Sequence, residues 1–224
     1  MIRISTAAIL VAAGTAVAAP AGIDRSGYEI YYGQATALDS ASVNRGVSAT
    51  RYSDIDPGAG GYIAGAETAV VANGALEVAG AADYSSTTAS NITMDSFRFV
   101  GGVDQAGGVV FFDFFDAGGL FVDGFGVQLS SAGNFIYNIT INSPFDVAGA
   151  GFVQMSVDDE NLAGAGSATT GRWFLGNAGA TIGDAGLAEA SPDFNFNFEI
   201  NGVPAPGAFA LLGLGGLVAT RRRR

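Results

Sequence analysis

Residues 134–141 read NFIYNITI, and this stretch decides the fold. Phe135, Tyr137, Ile139 and Ile141 alternate with Ile136, Asn138 and Thr140. In an extended chain successive side chains point to opposite faces, so one face here is apolar and the other largely polar. The same period of two recurs on both sides. Downstream, Val153, Met155 and Val157 alternate with Gln154 and Ser156. Further on, Phe194, Phe196, Phe198 and Ile200 alternate with Asn195, Asn197 and Glu199. Upstream, Phe121, Phe125, Val127 and Leu129 are expected to share a face, with Asp123 as the exception. Residues 109–115 are apolar on both faces, which places that strand centrally.

Between Ile92 and Val100 the apolar face changes from Ile92 and Met94 to Phe97 and Phe99. Such a change predicts a bulge or two short strands. Residues 67–72 and 75–79 around Asn73-Gly74 have the form of a hairpin with a favoured two-residue turn. Residues 28–34 suit an early strand, whereas 35–60 and 176–192 read as long loops. Gly101-Gly102 and Gly118-Gly119 read as turns. No helical period of useful length appears between residues 19 and 202. Many short strands joined by Gly-rich turns predict an all-β single domain, an antiparallel β-sandwich of jelly-roll type. Its expected core includes Phe135, Tyr137, Ile139, Val153, Met155, Phe196 and Phe198.

Composition narrows the chemistry. The chain of 224 residues carries 21 acidic and 10 basic side chains, for a net charge of −11. Every basic residue is Arg, and there is no His or Cys. The commonest general base, the thiol nucleophile and the Schiff-base former are therefore all missing, and no Ser-His-Asp triad can form. An acidic surface repels nucleic acid and anionic membranes. Carboxylate pairs, as used by glycoside hydrolases, are the catalytic chemistry that remains. Asp113 and Asp116 flank an apolar segment, and Asp158, Asp159 and Glu160 cluster where a strand should end. Either group also reads simply as solvated turn residues. Hard cations want several oxygen ligands, so Asp158, Asp159 and Glu160, with Asn161, are the candidate calcium site. They lack the alternating order of an EF-hand loop. Trp173, in a strand expected over 172–175, reads as a core residue, with stacking on a sugar as its other use.

Both ends of the chain read as addresses. Arg3 is followed by an apolar run over residues 4–16, and Ala16-Val17-Ala18 has the small-x-small form of a signal-peptide cleavage site. Cleavage after Ala18 is expected rather than after Ala19, which would set Pro20 next to the scissile bond. The other end reads Val203-Pro204-Ala205-Pro206-Gly207, then an uncharged apolar stretch to Thr220, then Arg221, Arg222, Arg223 and Arg224. As a helix, residues 207–220 would span roughly 21 Å, short of the ~30 Å hydrocarbon core. Four arginines would hold that end on the cytoplasmic side. The expected organisation is a signal helix at 1–18, a β domain at 19–202 and a sorting segment at 203–224. Removing both ends takes away Arg3 and the four final arginines but no carboxylate, so the remaining domain is more acidic still.

The 203–224 tail resembles the PEP-CTERM sorting signal of Gram-negative bacteria, in which a Val-Pro-Glu-Pro motif precedes an apolar helix and a basic end. Val203, Pro204, Pro206 and Gly207 match, and Ala205 stands where Glu is usual. The resemblance implies an exosortase-type enzyme that cleaves near the motif and passes the protein to the cell surface or exopolysaccharide. The same tail is sometimes named for the C-terminal part of ice-binding proteins, which does not by itself imply ice binding. Residues 96–115, 151–159 and 171–183 also resemble a recurring body of PEP-CTERM surface proteins, especially those of planctomycetes. That body implies a secreted β domain and no particular site.

These readings point first to a structural or adhesive component of the surface or matrix, a non-enzyme that meets the membrane only through its tail. The alternative is a carbohydrate-binding module, with or without calcium, whose partner is an extracellular polysaccharide. A carboxylate-based glycoside hydrolase comes third.

Overall fold

The computed structural model describes residues 23–38, 48–55, 62–63, 78–88, 90–158, 171–176, 180–184 and 195–205. No helix lies among them. The strands are β1 (Ile30–Thr36), β2 (Ala49–Ser53), β3 (Tyr62–Ile63), β4 (Val78–Ser85), β5 (Ile92–Val103), β6 (Val109–Asp116) and β7 (Phe121–Leu129). They continue as β8 (Gly133–Val147), β9 (Ala150–Val157), β10 (Gly171–Trp173), β11 (Leu175–Gly176), β12 (Asn195–Phe196) and β13 (Phe198–Pro204).

The all-β expectation holds for these residues, but two packed sheets are not what they form. One large sheet runs β2-β13-β5-β8-β1-β7-β6-β9-β4, with β10 also paired to β5. Its neighbours are antiparallel except β1 and β7, which run parallel. The sheet curls until its two edge strands meet. Ser53 of β2 bridges Ile182, and Ser85 of β4 bridges Asp184. The Thr87 N–H donates to the Arg51 carbonyl at 2.9 Å, and the rings of Tyr52 and Tyr84 lie 5.8 Å apart. The result is nearly a barrel, in which the edges that would invite further pairing lie against each other. A three-stranded sheet, β12-β11-β3, accompanies it.

Strand irregularity explains the curl, because bulges bend a strand and add twist. The change of face expected near residue 95 is a register shift within one strand, β5. Between the pairs Met94↔Phe145 and Ser96↔Thr140, β8 carries residues 141–144 against the single residue 95. A second shift separates the pairs Phe114↔Asp123 and Phe115↔Phe121. Val122 is the extra residue there, and it corrects one facing: Phe121 does not join Phe125, Val127 and Leu129. Phe121 packs on Phe115 and is exposed, whereas the other three are buried.

The core is aromatic. Phe97, Phe99, Phe112, Phe114, Phe125, Tyr137, Trp173 and Phe198 are all fully buried, with neighbouring rings in tilted, edge-on and stacked arrangements. Burying each such ring stabilises the fold by about 2–3 kcal/mol. Tyr137, Ile139, Val153, Met155, Phe196 and Phe198 are in this core as expected, and Phe135 packs half-buried at its margin.

Two other readings change. The loop expected over 35–60 contains the end of β1 and all of β2. Gly101 and Gly102 are not a turn but lie inside β5. A Cβ on Gly101 would sit 2.3 Å from the Arg172 carbonyl oxygen, and one on Gly102 would sit 1.9 Å from that of Gly133. Glycine here admits close backbone approach, not a change of direction. Gly118 and Gly119 do form the expected turn, with Gly119 at φ +81°. The predicted Asn73-Gly74 turn lies outside the described residues.

Candidate functional site

Burial on both faces of β6 requires a cover for its outer side, and residues 23–29 supply it. Phe111 faces outward from β6, and the rings of Tyr28 and Phe111 meet edge-on at 5.8 Å. The neighbouring strand β7 offers a track without side chains. A Cβ on Gly124 would meet the Tyr28 hydroxyl at 2.5 Å, and one on Gly126 would meet Ile30 Cδ1 at 2.3 Å. Asp113, also outward on β6, anchors the strap. Arg25 Nε donates to Asp113 Oδ2 at 3.1 Å, its Nη2 pairs with the same oxygen, and the Tyr28 hydroxyl donates to Oδ1 at 2.7 Å. Both Arg25 and Asp113 are buried, a geometry in which each charge needs the other. Burial first, then the charge of Asp113, holds the Tyr28 phenol well above its ordinary range, so it remains a neutral donor.

Between this strap and the widened part of β8 lies a cleft of about 330 Å³. Ser143, Pro144 and Phe145 form one wall, Gly27, Tyr28 and Glu29 another, and Tyr31, Phe125 and Asp123 the rest. The extra residues in β8 create the first wall. Pro144 has no N–H to offer a neighbouring strand, which suits a break in the ladder. Two carboxylates reach the cleft. Glu29 is exposed and accepts the Tyr31 hydroxyl at 2.5 Å, and Asp123 is half-buried and accepts the Gly124 N–H at 2.8 Å. Burial, then the bond to Glu29, pushes the Tyr31 phenol up to about 12. An aromatic lining with carboxylate and hydroxyl groups at its rim suits a ring rich in hydroxyls, which can stack and donate at once. The same carboxylates oppose an anion.

None of the acidic pairs singled out from sequence lines this cleft. Asp113 is spent on Arg25 in mid-strand. Asp116 sits at a hairpin tip, where its Oδ1 accepts the N–H groups of Gly118 at 2.8 Å and Leu120 at 2.9 Å. Asp158 is fully buried, and its N–H donates to the Val109 carbonyl at 2.9 Å. Asp159 and Glu160 lie outside the described residues, as do Ala18, Ala19, Pro206, Gly207 and Arg221 to Arg224. Among the described residues no group of three or more carboxylates is placed to hold a metal ion, and no helix is long and apolar enough to cross a membrane. Trp173 is a core residue. Its indole N–H donates to the Asn197 carbonyl at 3.1 Å, and its ring stacks on Phe196. Val203 and Pro204 complete β13 opposite Thr93 and Ile92, and the Ala205 N–H donates to the Asn91 carbonyl at 2.7 Å.

Glu29, Tyr31 and Asp123 were not legible as a site. Two signals were available: Asp123 interrupts an otherwise apolar face, and Gly124-Phe125-Gly126 clears the outer side of β7. Comparison with protein-family models, curated proteins and solved structures finds no match to this chain.

Proposed function

We propose that this chain is an exported structural or adhesive component of the cell surface or its exopolysaccharide, sorted through residues 203–224. The order of Val203-Pro204-Ala205-Pro206-Gly207, an uncharged apolar stretch and Arg221 to Arg224 carries this reading. The apolar stretch is short for a permanent span, and the arginines oppose its export, which suits a transient stop in the membrane. An exosortase-type enzyme then cuts near the motif. The end of β13 supports the idea of a removable tail. The last described hydrogen bond of the sheet is made by the Ala205 N–H, so a cut beyond Ala205 keeps the described ladder whole. Mass spectrometry of the surface-localised protein should find a C-terminus close to 203–207, with Arg221 to Arg224 gone. Recovery of the chain through Arg224 from the mature surface would make the tail a permanent anchor.

The cleft supports a second reading, a carbohydrate-binding role within the same matrix. Its aromatic lining and the carboxylates of Glu29 and Asp123 favour a neutral or cationic polysaccharide over one rich in uronic acids. Pull-down of native exopolysaccharide by residues 19–205 should weaken when Glu29→Gln and Asp123→Asn are combined. Undiminished capture by that variant would remove the cleft from the binding surface.

A further inference from the structure

The strand register places one loop and the exit of the tail at the same end of the barrel. β13 ends where β5 begins, with Pro204 opposite Ile92, and β8 ends beside them, with Val147 opposite Ile92. β9 begins and β4 ends at that level, with Ala150 opposite Ser85. β6 ends there too, with Asp116 opposite Gly151, and turns through 117–120 into β7. That turn is the most apolar exposed feature among the described residues. Leu120, Phe121 and Val122 are 70%, 43% and 36% exposed, and Val203, at the same end, is 50% exposed. Among the described residues Tyr32 is the other large exposed apolar side chain, and it lies midway along β1.

The turn holds its shape. Besides the two bonds to its carboxylate, the Asp116 N–H donates to the Leu120 carbonyl at 2.9 Å, and the Gly119 N–H donates to the Asp116 carbonyl at 2.9 Å. Three consecutive apolar side chains are thus presented outward by a fixed turn. Gly207, the first residue of the apolar stretch, follows Ala205 by two positions. Two extended residues reach roughly 7 Å. That is about the depth of one headgroup layer, since a bilayer is ~40–45 Å thick around a ~30 Å core.

We propose that the 116–122 turn is a second membrane contact, which seats the barrel end-on against the bilayer while residues 207–220 are inserted. This rests on the reading of 207–220 as a membrane segment. Leu120, Phe121 and Val122 enter the headgroup region, where apolar side chains gain from burial. Asp116, Asp123 and Asp146 occupy the same end, so the preferred surface is zwitterionic rather than anionic. Glu29, Asp123 and the cleft they line also face this end, and cleavage of the tail would free it.

The absence of cysteine makes a clean probe possible. The chain from Ala19 through Arg224, with its tail unprocessed and carrying Leu120→Cys, is labelled with an environment-sensitive nitrobenzoxadiazole fluorophore and reconstituted into phosphatidylcholine vesicles. Gln105→Cys, in the exposed turn at the opposite end, serves as reference, and Phe121→Cys replaces Leu120→Cys should that variant fail to fold. The Leu120 label should brighten severalfold and be quenched by doxyl-labelled lipid, with the Gln105 label unchanged. If the chain resists alkaline carbonate extraction but both labels respond alike, the turn does not touch the bilayer and the tail reading stands. If carbonate releases the chain, the tail reading fails and the docking proposal fails with it.

Discussion

The two faces of β5 and β13 are built from opposite materials and are both buried. Phe97, Phe99, Phe198 and Ile200 point into the aromatic core. Arg98, Asn197, Glu199 and Asn201 point the other way, yet none is more than 5% exposed. The inner face is held by dispersion and by the exclusion of water. The outer face is held by a hydrogen-bonded ladder that crosses five strands. Thr50 donates to Asn201 at 2.7 Å, Asn201 to Glu199 at 2.9 Å, and Arg98 to Glu199 at 3.3 Å and to Asn138 at 2.8 Å. Asn138 then donates to Thr36 at 2.7 Å. Ser53 adds a further bond to Glu199 at 3.1 Å. The difference teaches that alternation reports polarity, not exposure. A polar face can be buried when every charge on it has a partner.

The sharpest test of the inner face is Phe198→Ala. This ring touches Tyr52, Tyr84, Phe97 and Trp173, and its loss should cost about 4 kcal/mol, read as a lower denaturation midpoint. A midpoint within error of the parent would mean that the core repacks freely. On the outer face, Glu199→Ala strands Arg98 in a buried setting and should cost about 3 kcal/mol. Replacing both together, as Arg98→Met with Glu199→Leu, should restore much of that loss. If Glu199→Ala alone is nearly silent, the ladder behaves as solvated surface and the contrast between the faces collapses.

Asp54 lies where the two faces meet, and pH should read it. Its Oδ1 accepts the Phe198 N–H at 2.6 Å, and its Oδ2 accepts the Tyr52 hydroxyl at 3.2 Å. Burial holds the carboxyl well above the usual carboxylate range, and the nearby Glu199 adds to the effect. In the unfolded chain the group ionises near a pKa of about 3.9. The folded state therefore binds more protons between the unfolded and folded values, and stability falls as pH rises through that window. Asp54→Asn should flatten this part of the pH profile and raise the midpoint at neutral pH. A steeper slope in the variant would reverse the assignment.

The smallest effect belongs to a residue that neither face buries. Leu120→Ser should change stability by no more than about 0.5 kcal/mol, because the side chain loses little contact on mutation. A loss of several kcal/mol would show that the Leu120 side chain is packed against another part of the chain.

Much of the strand pattern was legible because polarity keeps a period of two along β8, β9 and β13, although burial follows that alternation only in β8. The bulge in β5 was legible because the apolar face visibly changes at residue 95. The bulge at Val122 was not, since Phe121 and Phe125 keep even spacing and the shift shows only in the pairing to β6. The site was harder. Glu29 and Asp123 stand about ninety positions apart, and Ser143 and Phe145 lie further on. Nothing local joins them.

By itself the sequence determined the strand class, the aromatic composition of the core and the tripartite order of the tail. Each follows from local spacing and polarity, which survive in one dimension. Only the tertiary structure decided that a single sheet curls until β2 and β4 meet, that β1 enters between β7 and β8, and that the outer face of β13 is buried. Those outcomes depend on register and on which backbone approaches which. They are set by non-local hydrogen bonds and by the space that Gly101, Gly102, Gly124 and Gly126 leave open, and no local pattern encodes the partner that fills it.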